Sequence, residues 1–214
     1  MPQPLNKVMR TASTAFGPGF LETRPHLANI VAFVIGNFSY VELQFSLVYH
    51  RTLGTDAAVA FSMLRASQAR RQAINNVNAA ASHTVPKSEL DIFNDVLARF
   101  KAAAKIRDTY AHSLWGTSDQ LPDALLLAGP EYYHHMEIAH DRAKKDDRIP
   151  SISELRPPTE MVMVYREDDL KRDLKQINDT NELLRATVGL LSLPIGPQRD
   201  VLSQKISELL HPSK

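Results

Sequence analysis

Arg107-Asp108-Thr109-Tyr110-Ala111-His112 closes a long apolar-periodic segment that begins near Pro86, and the reading of that segment decides the fold. Taken every third or fourth residue it gives Leu90, Phe93, Leu97, Phe100, Ala104, Arg107, Ala111 and Leu114. A 4-3 alternation of this kind is the buried stripe of one helix. Arg107 falls on the stripe. A guanidinium among apolar neighbours is costly unless it is paired or lines a cleft, so its position asks for a partner. His112, five residues on, lies roughly 140° around a helix of 3.6 residues per turn. The two therefore share no face of a straight helix and meet only over a cleft near its end. Asp108 is four residues before His112, where it is expected to accept a hydrogen bond from one imidazole nitrogen and leave the other free.

Working outward, the same rhythm recurs. Leu27, Val31, Val34, Phe38, Val41, Phe45 and Val48 mark a first helix, stopped by Gly54. Thr55-Asp56 offers an N-cap to a second helix, whose buried side runs through Ala57, Ala60, Phe61, Leu64, Ile74, Val77 and Ala81. Pro86 sits at a tolerated first-turn position of the third. A fourth reads Leu170, Leu174, Ile177, Asn181, Leu184, Val188 and Leu191, and Pro194, Gly196 and Pro197 separate it from a short amphipathic tail. Between the third and fourth helices the period changes. Ala124 to Ala128 and Met161 to Tyr165 are apolar runs of strand length that can pair, and the polar stretch from Glu131 to Glu160 between them is expected to be partly mobile.

These elements predict an all-α chain: an antiparallel four-helix bundle with helices near 27–53, 56–82, 86–114 and 167–192. A small two-stranded β ribbon is inserted between helices 3 and 4, and a short C-terminal helix follows. Residues 1–24, with Pro2, Pro4, Gly17, Pro18 and Gly19 and little periodicity, read as a flexible N-terminal arm. Residues 25–193 read as the helical domain, with ribbon and loop at about 115–165, and 194–214 as the tail helix.

Of the 214 residues 43% are hydrophobic, enough for a sizeable core. The longest apolar run, Leu27 to Phe38, is too short to span a bilayer, and the first twenty residues lack a signal-peptide apolar region, so a cytoplasmic protein without membrane contact is expected. The absence of cysteine excludes disulfides, thiol catalysis and thiolate metal sites. A net charge of +1 argues against a general nucleic-acid coat but leaves local patches free to steer RNA. Eight scattered glycines form neither a Walker-type nor a dinucleotide-type loop.

Glu42 lies among Phe38, Phe45 and Tyr49 by helical spacing and should want a cation, for which Arg107 is the expected partner. Arg65, Arg70 and Arg71 put positive charge on the second helix, read either as a solvated face or as phosphate contacts to RNA. His134, His135, Glu137 and His140 match no metal-ligand spacing and read as a polar surface loop; neither a metal nor a cofactor is expected. The sequons at Asn37 and Asn178 fall inside predicted helices and carry no weight.

Arg107-Asp108, three residues, then His112, on a helix that runs into Ser113-Leu114-Trp115-Gly116, resembles the signature of the HEPN superfamily of small helical proteins, in which an arginine and a polar residue precede a histidine. The order of helices over roughly 27–192 agrees. The resemblance implies metal-independent endoribonuclease chemistry, with Arg107 and His112 in the catalytic positions and Asp108 in the polar one. It further implies RNA as partner, a homodimer whose two motifs face one cleft, and a toxin or phage-defence setting with an antitoxin or regulatory protein. The alternative is a non-catalytic HEPN-like module that binds RNA or another protein. Chemically, an imidazole that titrates near neutrality can take a proton from a ribose 2′-hydroxyl or give one to a leaving 5′-oxygen, and a guanidinium can hold the phosphate.

Overall fold

The computed structural model describes residues 1–211 apart from 10, 11, 18, 68, 156 and 157. Pro18, one of the residues that marked the expected arm, thus lies outside the described residues. In chain order the elements are β1 (Gln3–Pro4), α1 (Leu5–Val8), β2 (Ala15–Phe16), α2 (Pro25–Leu53), α3 (Ala57–Ala66), α4 (Arg70–Thr84), α5 (Leu90–His112), β3 (Leu114–Thr117), β4 (Ala124–Ala128), α6 (Glu131–Lys145), α7 (Ile152–Leu155), β5 (Val162–Arg166), α8 (Glu167–Ser192) and α9 (Pro197–Leu210). The chain is mostly helical, with a small antiparallel sheet. It divides into two compact units, one of Met1–Ile35 with Ile106–Leu174 and one of Gly36–Lys105 with Lys175–Lys214, so that α2, α5 and α8 each contribute residues to both.

The first unit carries the sheet, in the order β1-β5-β4-β3-β2. The two expected strands do pair, from Ala124↔Arg166 to Ala128↔Val162. The sheet has five strands rather than two, and both edges come from the segment expected as a loose arm: β1 pairs with β5, and β2 with β3. Edge strands two residues long carry no period-2 signal, and their gain is backbone hydrogen bonding, which composition does not reveal. Leu5 fastens the arm by inserting, fully buried, beside Leu126, Val162 and Val164. At the other edge only a glycine serves at position 116, because a Cβ there would stand 2.5 Å from the Ala15 carbonyl oxygen. β4 is buried along its whole length, which accounts for its unbroken apolar run. The polar stretch expected to be mobile is instead largely the helix α6, whose buried residues, Ala139 and Ala143, are too small to make a visible stripe. α7 follows, tied by the Tyr132 hydroxyl to the Leu155 carbonyl at 2.9 Å.

The second unit is helical. Phe45 and Phe100 stack with ring centres 4.0 Å apart, and the Phe38 ring centre lies 6.3 Å from that of Phe100, joining α2 to α5. Asn37 donates to Asn178 at 2.9 Å, joining α2 to α8. Gly54, at φ +62°, takes the left-handed conformation that ends α2, and Asp56 caps α3 through the Ala58 N–H at 2.8 Å. The expected second helix is two, α3 and α4, because the chain turns extended at Ser67 and Ala69. The tail helix α9 is pinned by a buried pair. Arg199 Nε and Nη2 each reach a Glu89 oxygen at 2.8 Å, and its Nη1 donates to the Leu193 carbonyl at 2.8 Å.

By length and composition α2 is long and apolar enough to cross a membrane, with a mean hydropathy of 1.4 over an 18-residue window. The sequence reading stopped that run at Phe38; Glu42 is the single charged residue between His26 and His50, so the run extends further.

Candidate functional site

In the sheet-bearing unit the last turns of α5 carry Arg107, Asp108 and His112. Leu97, Phe100 and Ala104 are buried as expected, but the stripe then passes to Tyr110, 1% exposed, while Ala111 is exposed and Arg107 is only half-buried. The cause is geometric. At about 100° per residue Tyr110 lies about 100° around the helix from Ala111, so the last turns bury a different side from the one that Leu97, Phe100 and Ala104 mark. Arg107 Nη1 donates to Asp108 Oδ1 at 3.1 Å, so the aspartate holds its neighbouring arginine. His112 is the exposed last residue of α5, and among the described residues its ring has no hydrogen-bond or ion-pair partner. The expected Asp108–His112 hydrogen bond is therefore not made. Asp108 instead accepts from the charged Arg107 guanidinium beside it.

What anchors this helix end is a group of residues that the sequence reading passed over. The Tyr110 hydroxyl donates to Asp173 Oδ2 at 2.8 Å, and the Trp115 indole donates to the Tyr110 carbonyl at 3.1 Å. Tyr110 also meets Trp115 and Tyr165 edge-on, with ring centres 5.5 and 5.6 Å away. Burial, reinforced by the Asp173 charge, pushes the Tyr110 hydroxyl far up and that of Tyr165 to about 12. Burial also raises the Asp173 carboxyl, against the pull of the Tyr110 hydroxyl and of Arg172 at 3.5 Å. These groups fix the backbone on both sides of His112. One signal was available: Tyr110 is a large residue inside the quoted stretch, Trp115 stands three residues beyond it, and Asp173 follows Leu170 at helical spacing.

In the helical unit, Glu42 and two of the arginines gather around one cavity of about 420 Å³, lined by Glu42, Phe45, Leu64, Arg65, Arg70 and Phe100 among others. Glu42 takes Arg70, not Arg107, at 3.3 Å. Arg70 sits 28 residues later on α4, and its guanidinium also lies 5.4 Å over the Phe38 ring, which places it on the aromatic face that Glu42 was expected to share. Arg71 is exposed on the first turn of α4.

His134, His135, Glu137 and His140 ride on α6. Among the described residues no group of three or more histidines or carboxylates is arranged to hold a metal ion.

Comparison with protein-family models, curated proteins and solved structures finds no match to the chain. Among the described residues, the end of α5 presents an unpartnered imidazole about 1.4 turns beyond a guanidinium, on a helix turn held by buried aromatic contacts.

Proposed function

We propose that the protein is an HEPN-like endoribonuclease that cleaves RNA by internal 2′-hydroxyl attack, with His112 moving the proton and Arg107 holding the phosphate. The observation that carries this reading is the His112 ring, exposed at the end of α5 and without a partner among the described residues, on the same helix end as the half-buried Arg107. An ordinary capping histidine would bond a carbonyl there. Asp108 supports Arg107 by accepting a hydrogen bond from its guanidinium. The fold implied is the antiparallel four-helix bundle of the HEPN kind, made by α2, α3 with α4, α5 and α8.

The reading requires a second copy of the chain, since one helix end supplies one imidazole and no orienter. Support for a homodimer comes from α2, where Phe33, Tyr40 and Leu43 are each about half exposed, and from Val201 and Leu209 on α9. A nuclease of this kind works in the cytoplasm, away from membranes, under an antitoxin or regulatory protein that restrains it, in a toxin or phage-defence setting. Neither metal nor cofactor takes part, because imidazole and guanidinium together supply the proton transfer and the charge stabilisation.

The test is direct. Purified protein is incubated with mixed RNA in excess chelator and the fragments are examined for 2′,3′-cyclic phosphate ends. We expect cleavage that falls toward acid pH, as the base becomes protonated, and that is abolished by His112→Ala with the fold intact. Arg107→Lys is expected to be severely impaired, since lysine loses the planar fork, and Asp108→Asn less so. RNA left whole by the wild-type protein, yet retarded in a gel through Arg107, selects the non-catalytic RNA-binding module; the engagement of Arg107 by Asp108 within a single chain is what favours that second reading.

A further inference from the structure

The cavity of the helical unit is built differently from the α5 end, and nothing in the proposed nuclease chemistry uses it. Its floor is apolar. Phe45 and Phe100, stacked on each other, are 4% and 0% exposed and line the space. Leu64 and the buried Ala73 complete the floor. The rim is charged, with Arg65 and Arg70 against Glu42, a balance of one positive charge at neutral pH. At about 420 Å³ the cavity falls in the range of small-molecule sites, which combine an apolar lining with a few polar groups that set orientation.

The contact between Glu42 and Arg70 decides which ligand charge fits. It is a single reach of 3.3 Å, made by a carboxylate that is 47% exposed. A partly solvated, one-pronged pair of this kind is weak and exchangeable, whereas an oxyanion that meets a guanidinium with two oxygens makes shorter and stronger bonds. The Phe38 ring, 5.4 Å from the Arg70 guanidinium, helps to hold it at the cavity.

We propose that this cavity is a binding site for a small molecule, or the end of a larger one, that carries one phosphate or carboxylate on an apolar body about the size of one ring. The anion displaces Glu42 from Arg70, Arg65 adds attraction at the rim, and the body rests against Phe45 and Phe100. Glu42 is the competitor that keeps the empty site closed to weak anions.

Calorimetric titration of the full chain with phenyl phosphate and benzoate tests this. Both are expected to bind, and inorganic phosphate and phenol, each carrying half of the chemistry, are expected to bind at least about tenfold more weakly, a difference of one ring or one charge. Glu42→Gln is expected to tighten phenyl phosphate binding several-fold, an effect that a merely structural role for Glu42 would not produce. Arg70→Gln and Ala73→Leu, the latter filling the floor, are expected to remove binding while the circular dichroism spectrum stays unchanged. Should Arg70→Gln disturb the fold, Arg65→Gln is expected to weaken binding on its own. The proposal is overturned if neither wild-type nor Glu42→Gln protein binds either probe at millimolar concentration, if Arg70→Gln or Arg65→Gln binds as tightly as wild type with its fold intact, or if benzylamine binds in place of the anions. A nucleoside 5′-monophosphate that competes with phenyl phosphate would identify the source of the anion as a nucleotide, and an aliphatic carboxylate that competes instead would identify it as a metabolite acid.

Discussion

The helical unit keeps Arg199 and Glu89 from water by matching them to each other, two oxygens to two nitrogens at 2.8 Å, with side chains only 8% and 7% exposed. The sheet-bearing unit keeps Asp173 from water against a neutral phenol, and the nearest cation, Arg172, stands at 3.5 Å on the surface side. The first arrangement satisfies charge with charge, and the hydrogen bond to Glu89 holds the Arg199 guanidinium even more firmly protonated. The second leaves desolvation in command, so that Tyr110, Tyr165 and Asp173 are all pushed upward. Charge matching makes a site that is costly to break. Burial against a phenol makes one that is cheaper to break and sensitive to pH.

The largest effect should come from breaking the matched pair. Arg199→Met leaves Glu89 buried without its partner and is expected to cost about 3–5 kcal/mol in urea denaturation, while adding Glu89→Leu should recover much of that loss. If the single variant costs no more than a surface substitution, the contrast drawn between the two units fails.

Tyr110→Phe comes next. It removes the donor from the half-satisfied Asp173 and is expected to cost about 1–3 kcal/mol. Its pH dependence has a definite sign. Tyr110 and Tyr165 hold their protons in the fold beyond the ordinary phenol value, so their contribution is complete below pH 10 and is lost as pH rises toward about 12, where Tyr165 ionises, and beyond. Asp173, also raised, adds stability below the usual carboxylate range and loses it as pH rises through its folded value. A near-ultraviolet titration should show Tyr110 and Tyr165 ionising late, and Tyr110→Phe should flatten the alkaline loss of stability.

This sensitivity could not be read from periodicity, and the reason is instructive for the whole chain. Where burial is wide and the residues are large, as along Phe38, Phe45, Phe93 and Phe100, the 3.6-residue period located α2, α5 and α8, and the bounds of α8 agree with those expected. The paired runs at β4 and β5 were legible for the same reason. Structure carried by backbone bonds or by alanines left no such trace, so the arm that supplies β1 and β2, and the helix α6, were read as loose. Of the site, Arg107, Asp108 and His112 were legible as a motif, but their partners were not. Deciding whether Asp108 meets His112 or Arg107, or whether Glu42 meets Arg107 or Arg70, requires side-chain directions that spacing alone leaves open.

Glu42 makes the last and smallest prediction. Paired with a buried Arg107, as the sequence suggested, its removal would cost as much as that of Glu89. Paired instead with the 28%-exposed Arg70 across a single 3.3 Å contact, it lies in the class of surface ion pairs, where solvent screens the attraction and the ordering of two long side chains offsets much of what remains. Glu42→Gln is therefore expected to shift stability by less than about 1 kcal/mol. Arg70 keeps its place over the Phe38 ring in that variant, so the cavity should retain its shape. A loss comparable to that of Arg199→Met in the same urea titration would mean that Glu42 neutralises a buried cation after all, and would return it to the role the sequence first gave it.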